Sequence, residues 1–546
     1  MALSLSPAAR DKLKSLAICF SLGNLLFIRR WYDLEHLQAR SVDYYRTAQP
    51  DLTLLIATVI ASVLFAVVVW VGWLFVERSN SSRVRLAAQC VFLLLLVFPL
   101  ESVRRYWNVL LGFDIGTNLA LLLVETLLAG GLVAALLGNL RVLGAARRMT
   151  LLLTFLFPSL LIDLALARAG AEPDSVYQPK PPLPLLPPHP GPRRRVVWLL
   201  FDEFDQRLAF DERQPSVQLP ELDRLRAESM TANHATQTAP WTILALPSLL
   251  SGRIYSRAEM VDAETLEVFP EGSRQGFSWR TQPNVFRRAR ELGVNAALVG
   301  WHHPYCRVFG DSLARCLDVP SGHPTAALLR ETHAAEDGIA KTVPFLFRLQ
   351  WENLADMFRP RSKAVSENLK DAYVQRRQLL QYFLIRDRAY AEAADRQIDF
   401  LFVHFPTPHS FAIYDRRRRD FTLSASIDYF DNLALVDRTV GELRLALEQA
   451  GLWESTSLLI TSDHGLRPEL WRGRYNWTPE LDRLTANGAS ETVPFIVKLA
   501  GHGKAAIYDR PFSNVVAGDL CLDVLRGGVS TPEEAAGWLA SHSTPD

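Results

Sequence analysis

The stretch Thr238 to Arg253 reads T-A-P-W-T-I-L-A-L-P-S-L-L-S-G-R, a hydroxyl-rich turn that enters an apolar helical segment at Thr242. The first backbone N–H groups of a helix have no intrahelical partner, and the helix dipole is positive there. A hydroxyl at that point meets surroundings that favour bound anions and help stabilise an alkoxide. Such a threonine suits attack on a phosphate or sulfate ester. The competing reading is a plain helix cap, a role in which threonine is common.

The other polar residues able to do chemistry fall at the ends of short β-rich runs. Asp202-Glu203 follow Val196–Phe201, and Trp301-His302-His303 follow Ala296–Gly300. Phe400–Phe405 contains His404 and leads to His409, and Ser462-Asp463-His464-Gly465 follow Ser457–Thr461. A fifth run is Val493–Leu499, and helical patterns occupy Leu219–Met230, Asn284–Leu292, about Glu367–Gln397 and Ser424–Ala450. This alternation predicts an α/β domain with a mainly parallel central sheet. Ligands of open α/β sheets bind beyond the carboxyl ends of the strands. The four ends therefore point to one rim, where Asp202, Asp463, His464 and the Thr242 oxygen can hold a cation. Oxygen and imidazole donors suit Zn²⁺ or Mn²⁺. Taken one at a time, each carboxylate also reads as a cap and each histidine as a packed side chain.

The segments V-V-W-L-L-F-D-E, T-I-L-A-L-P-S-L-L-S-G-R, F-V-H-F-P-T-P-H and L-L-I-T-S-D-H-G, in this order, resemble the sulfatase branch of the alkaline phosphatase superfamily. The resemblance spans about Arg195–Gly501 and includes V-P-F-I-V-K-L-A-G near its end. It implies an alkaline-phosphatase-like α/β domain with Asp202 as first metal ligand and Glu203 as a second. Thr242 takes the place of the nucleophile, and Asp463 and His464 become the remaining ligands. His302 and His409 become catalytic, substrate-facing histidines, and His303 and His404 weaker substrate-binding candidates. The formylglycine motif of sulfatases, C/S-x-P-x-R, is absent. Threonine in its place resembles the phosphoryl-transfer members, and Arg472 and Arg474 are candidates for the missing sulfate-site cation. No aspartate stands four residues before His409, so one divalent metal is expected, Zn or Mn first and Ca third.

The 546 residues predict several domains. Five apolar stretches, Leu16–Ile28, Leu52–Val76, Leu86–Leu100, Ile115–Leu137 and Met149–Ala167, read as membrane spans. The expected division is a transmembrane domain over residues 1–168, a proline-rich spacer over 169–194, the catalytic domain over 195–527 and a polar, frayed tail over 528–546. Spans followed by such a domain resemble the membrane-anchored phosphoethanolamine transferases and lipoteichoic acid synthases. A slight excess of arginine and lysine in alternate loops places the catalytic domain outside the cytoplasm, on a multi-pass inner-membrane protein of the cell envelope. Glu125 lies within a span and reads either as functional or as a partner for a neighbouring helix. Arg193–Arg195 read as a headgroup contact or a solvated run.

A net charge of +1 gives no sign of nucleic-acid binding. Cys19 and Cys90 lie in spans and Cys521 stands alone. Cys306 and Cys316 flank a loop beside His302-His303 and are read as a disulfide, with a free pair or a zinc site as alternatives. The expected activity is phosphoryl-group transfer through a covalent Thr242 intermediate on an envelope lipid or lipid-linked glycan. Hydrolysis of phosphoric or sulfuric esters is the alternative, and anion sensing without catalysis the third reading.

Overall fold

A computed structural model of the chain describes residues 6–27, 31, 44–45, 52–93, 95–96, 126, 130, 141–152, 154, 178–187, 194–320, 338–358, 369–424, 426–472 and 476–542. The chain forms two compact units. The first comprises Met1–Ser41, Gln49–Glu172 and Leu329–Lys370; the second comprises Val42–Ala48, Pro173–Leu328 and Asp371–Asp546.

In the first unit, helix Pro7–Leu26 lies against helix Leu52–Arg78. Close approach depends on Gly23, where an added Cβ would sit 2.5 Å from the Ser62 carbonyl oxygen. Within the second helix, Leu55–Arg78 is long and apolar enough to cross a membrane, at a mean hydropathy of 2.7. It is the one such helix among the described residues. Arg141–Leu152 is helical, beginning before the expected Met149. Ile115–Leu137, apart from residues 126 and 130, and Glu125 with it, lie outside the described residues, as does most of Met149–Ala167. Helix Gly338–Phe358, expected within the catalytic domain, belongs to this unit instead. Its Leu346 is buried among Phe27, Ala57 and Ala61.

The second unit is built on an eight-stranded sheet: β1 Arg195–Phe201, β2 Met230–Ala232, β3 Ala296–His302, β4 Arg315–Pro320, β5 Phe400–Phe405, β6 Thr456–Ser462, β7 Phe495–Lys498 and β8 Ala506–Tyr508. Their spatial order is β8-β2-β7-β6-β1-β5-β3-β4. From β6 to β4 every pairing is parallel; β7 runs antiparallel to both β6 and β2. Central β1, R-V-V-W-L-L-F, is buried at every position, as expected of a parallel strand covered on both faces. Register aligns Phe201 with Ser462 and with Phe405, so β1, β6 and β5 finish level. The residues that follow, Asp202, Asp463 and the Pro406–His409 turn, leave the sheet at one edge.

Three expectations are corrected here. Arg195 is buried, and its guanidinium donates to the carbonyls of Ala393, Asp395 and Ile398, so it is neither a headgroup contact nor solvated. Residues 178–187 of the spacer, whose prolines predict a stiff extended segment holding the next domain off the membrane, are instead docked on the catalytic unit. Lys180 N–H donates to Cys306 O, Leu183 N–H to Leu313 O and Leu186 N–H to the Asn295 side chain. The C-terminal segment is not a frayed tail. Gly527, at φ +85°, ends one helix, and Pro532–His542 forms another whose Ala535, Trp538 and Leu539 join the core. Thr531 and Glu534 cap that helix reciprocally, the Glu534 N–H donating to Thr531 Oγ1 and the Thr531 N–H to a Glu534 carboxylate oxygen. Leu539 is fully buried, so Leu539→Ala should cost about 2–5 kcal/mol, read as a lower midpoint in urea unfolding of the intact chain.

Candidate active site

Helix Thr242–Ser251 starts at Thr242, with extended Trp241 in the N-cap position making no side-chain cap bond. Thr242 is therefore the first helical residue rather than the cap, and its hydroxyl is turned to other partners. Oγ1 lies 3.4 Å from Asp202 Oδ2 and 3.1 Å from His464 Nε2. His464 Nδ1 is 2.9 Å from the Gly465 carbonyl, which can only accept, so Nδ1 carries the proton and Nε2 presents a lone pair. The Thr242 hydroxyl thus faces two acceptors.

Asp202, Asp463 and His464 are each fully buried and lie close enough to share one ion. His464 Nε2 is 3.2 Å from Asp463 Oδ2 and 3.8 Å from Asp202 Oδ1. Donors about 2.0–2.1 Å from a tetrahedral metal stand ~3.3 Å apart, so these spacings fit a four-donor sphere completed by Thr242. Asp202 Oδ1 and Asp463 Oδ2 are buried without a hydrogen bond among the described residues. Two buried carboxylates in that state are costly unless a cation neutralises them. Burial, with the charges of Asp463 and Glu203 nearby, pushes the Asp202 carboxyl well above its ordinary range. Burial acts on Asp463 in the same sense, but His464 and His404 outweigh it and hold that carboxyl below its usual value.

Glu203 is not part of this cradle. Its backbone turns at φ +62°, and its carboxylate takes Arg467 Nε at 2.8 Å and the Trp471 indole N–H at 3.0 Å. Burial would raise it, yet His409, Arg467 and His464 together pull it down. The expected ligand is instead one half of a buried ion pair at the site's edge. Arg467 and Trp471, three and seven residues after His464, carry no signal of this pairing in the sequence.

The histidines divide by their partners. His303 Nε2 lies 3.3 Å from the Thr242 carbonyl and must donate to it, while Nδ1 accepts from the Tyr44 hydroxyl at 3.3 Å. Burial drives its pKa down to about 3, so this neutral ring fixes the Thr242 backbone. His404 Nδ1 meets the Tyr305 hydroxyl at 2.9 Å, and its Nε2 is 3.9 Å from Asp202 Oδ2. Gly300, on β3, is what lets Tyr305 lie there, because a Cβ at 300 would sit 2.4 Å from its ring. His409 donates its backbone N–H to Asp202 O, and its ring sits edge-on to Trp301 and Trp471, with centroids 5.2 and 4.9 Å away. His302 ends β3 at φ +76°. Burial and the neighbouring His303, His404 and His409 hold it well below the ordinary imidazole value, so it is neutral at pH 7.

Residues 196–495, more than half of the chain, match the model of the type I phosphodiesterase / nucleotide pyrophosphatase family. The chain belongs to that family. The match begins in β1 and ends in β7, enclosing every residue of the cradle. No curated protein matches the chain. Solved structures similar to it include a phosphonate monoester hydrolase of Agrobacterium radiobacter, at 14% identity over 61% of this chain and 74% of that one, TM-score 0.38. A PsFucS1 sulfatase from Pseudoalteromonas sp. matches at 14% identity over 61% and 68%, TM-score 0.37. Murine ectonucleotide pyrophosphatase / phosphodiesterase 5, in complex with AMP, matches at 12% identity over 61% and 95%, TM-score 0.34. The family match bears out the expected superfamily.

Cys306 and Cys316 form a disulfide, S–S 2.06 Å, which excludes a zinc site there. Arg472 pairs with Asp482 at 2.9 Å, half-exposed, and is no free anion ligand. Arg474 lies outside the described residues.

Proposed function

We propose that the chain is a metal-dependent phosphoester enzyme, anchored in a membrane with its catalytic domain outside the cytoplasm. In this reading it transfers a phosphoryl-containing group through a covalent Thr242 intermediate. The observation that carries this reading is the Thr242 hydroxyl at a helix start, between an Asp202 oxygen and the lone pair of His464. Asp202, Asp463, His464 and Thr242 would hold the ion, Zn²⁺ or Mn²⁺ by their donor set. Such an ion supplies Lewis acidity and lowers the pKa of a bound hydroxyl.

Thr242 Oγ passes its proton to the facing Asp202 Oδ2 and attacks phosphorus, forming one P–O bond as the bond to the leaving oxygen breaks; that oxygen departs as an alkoxide and takes a proton from solvent. The helix N-terminus offers its N–H groups to the phosphoryl oxygens. His302 and His409, neutral rings that both contact Trp301, donate hydrogen bonds to the substrate and leaving-group oxygens. A hydroxyl of an envelope lipid or glycan then takes the group from Thr242. The apolar helix Leu55–Arg78 supports a membrane-borne substrate, since it is suited to hold the enzyme at a bilayer. The family match supports the second reading, in which water is the acceptor and the reaction is phosphodiester hydrolysis.

Intact-mass analysis of full-length protein with Zn²⁺ or Mn²⁺ and a phospholipid extract tests both. A mass increment mapping to Thr242 is expected, and its chase into a glycolipid marks transfer, into water hydrolysis. No increment, together with turnover that survives in Thr242→Ala, would sink the covalent mechanism.

A further inference from the structure

The family match starts at residue 196, yet two residues far outside it touch His302 and His303. Val42–Ala48, between the first two apolar stretches, is part of the catalytic unit. Tyr44 is buried, its hydroxyl 3.3 Å from His303 Nδ1, and Arg307 donates to its carbonyl. Tyr45 is half-buried, its hydroxyl 2.9 Å from His302 Nε2 and its ring edge-on to the imidazole, with centroids 4.9 Å apart. His302 needs such a hold. At φ +76° its backbone sits in the left-handed region, a conformation that a non-glycine residue keeps only when its surroundings impose it.

We propose that Tyr45 is a positioning residue for His302: its hydroxyl and ring fix the orientation of the imidazole, so the site is completed by a segment that precedes the family domain in the chain. The Tyr45 hydroxyl, bound at Nε2, leaves Nδ1 as the nitrogen for other partners. The two tyrosines divide the work, Tyr44 acting through His303 on the Thr242 carbonyl and Tyr45 on His302. This inference rests on the enzymatic reading above for its kinetic consequence but not for its structural one.

The test uses full-length Tyr45→Phe, which keeps the ring and deletes the hydroxyl, beside the wild type and Tyr44→Phe. Two readouts are taken: the rate of His302 carbethoxylation by diethyl pyrocarbonate, followed by peptide mass spectrometry, and kcat and KM on bis(p-nitrophenyl) phosphate with Zn²⁺. The expected result is faster His302 modification in Tyr45→Phe and a kcat lower by ~10-fold with little change in KM, as for loss of a residue that orients a catalytic ring. An unchanged melting temperature separates this from misfolding. Unchanged labelling of His302 overturns the proposal, and so does unchanged kcat in an active preparation. If the wild type turns over no phosphodiester, the enzymatic reading falls by itself, and the labelling rates still decide whether Tyr45 holds His302.

Discussion

Thr242→Ala should lower kcat by on the order of 10⁴-fold or more, the scale on which removal of an attacking group is felt when the rest of the site survives. KM should move little, because the helix N-terminus and the histidines stay in place. The loss is chemical rather than structural. Thr242 is the first helical residue and caps nothing, and its two hydrogen bonds, at 3.1 and 3.4 Å, are worth on the order of 1 kcal/mol each. Thr242→Ser restores the hydroxyl and should recover turnover, which separates loss of a nucleophile from loss of packing. Steady-state assays on a chromogenic phosphodiester, with melting curves for each variant, give the answer. Full activity in the alanine variant would return Thr242 to the role of a helix-start residue.

Asp463→Asn should weaken metal binding by more than ~100-fold, since replacing even a supporting residue around a ligand typically costs 10–100-fold. The same change also has a cost without metal. Asp202 and Asp463 each have one buried oxygen that accepts no hydrogen bond among the described residues, but His464 and His404 hold the Asp463 carboxyl below its usual value, so its charge adds to stability at pH 7. The metal-free variant should therefore melt somewhat below the metal-free wild type. At metal concentrations 100 times the wild-type Kd, the wild type gains ~2.7 kcal/mol while the variant gains almost none. Calorimetric titration and metal-dependent melting curves measure both. A variant that binds Zn²⁺ and Mn²⁺ as the wild type does would remove Asp463 from the cradle.

The fold was legible where periodicity is unambiguous. Val196–Phe201 and Phe400–Phe405 are near-continuous apolar runs too short for helices, and both prove to be parallel central strands. The positions of Asp202, Asp463 and His464 could be read because they are the first or second residues after a strand, and parallel strands in register deliver their next residues to one edge. Direction was less legible than place. Glu203 adjoins Asp202 but turns away through a positive φ, and nothing in the sequence announces that turn. The C-terminal helix was hidden by its Ser, Thr, Gly and Pro flanks, which belong to its cap rather than to disorder. Tyr44 and Tyr45 gave no signal at all, since their contacts lie more than 250 residues away in the chain.

Gly300 sets a limit on how this pocket can change over generations. The room taken by Tyr305 is the room a side chain at 300 would need, and Tyr305 in turn holds His404 beside Asp202. One hydrogen atom in place of a methyl group therefore governs a relay of two aromatic rings that ends at the cradle. Alanine, elsewhere the mildest of substitutions, would be among the most disruptive here. This point on β3 is locked by shape rather than by chemistry.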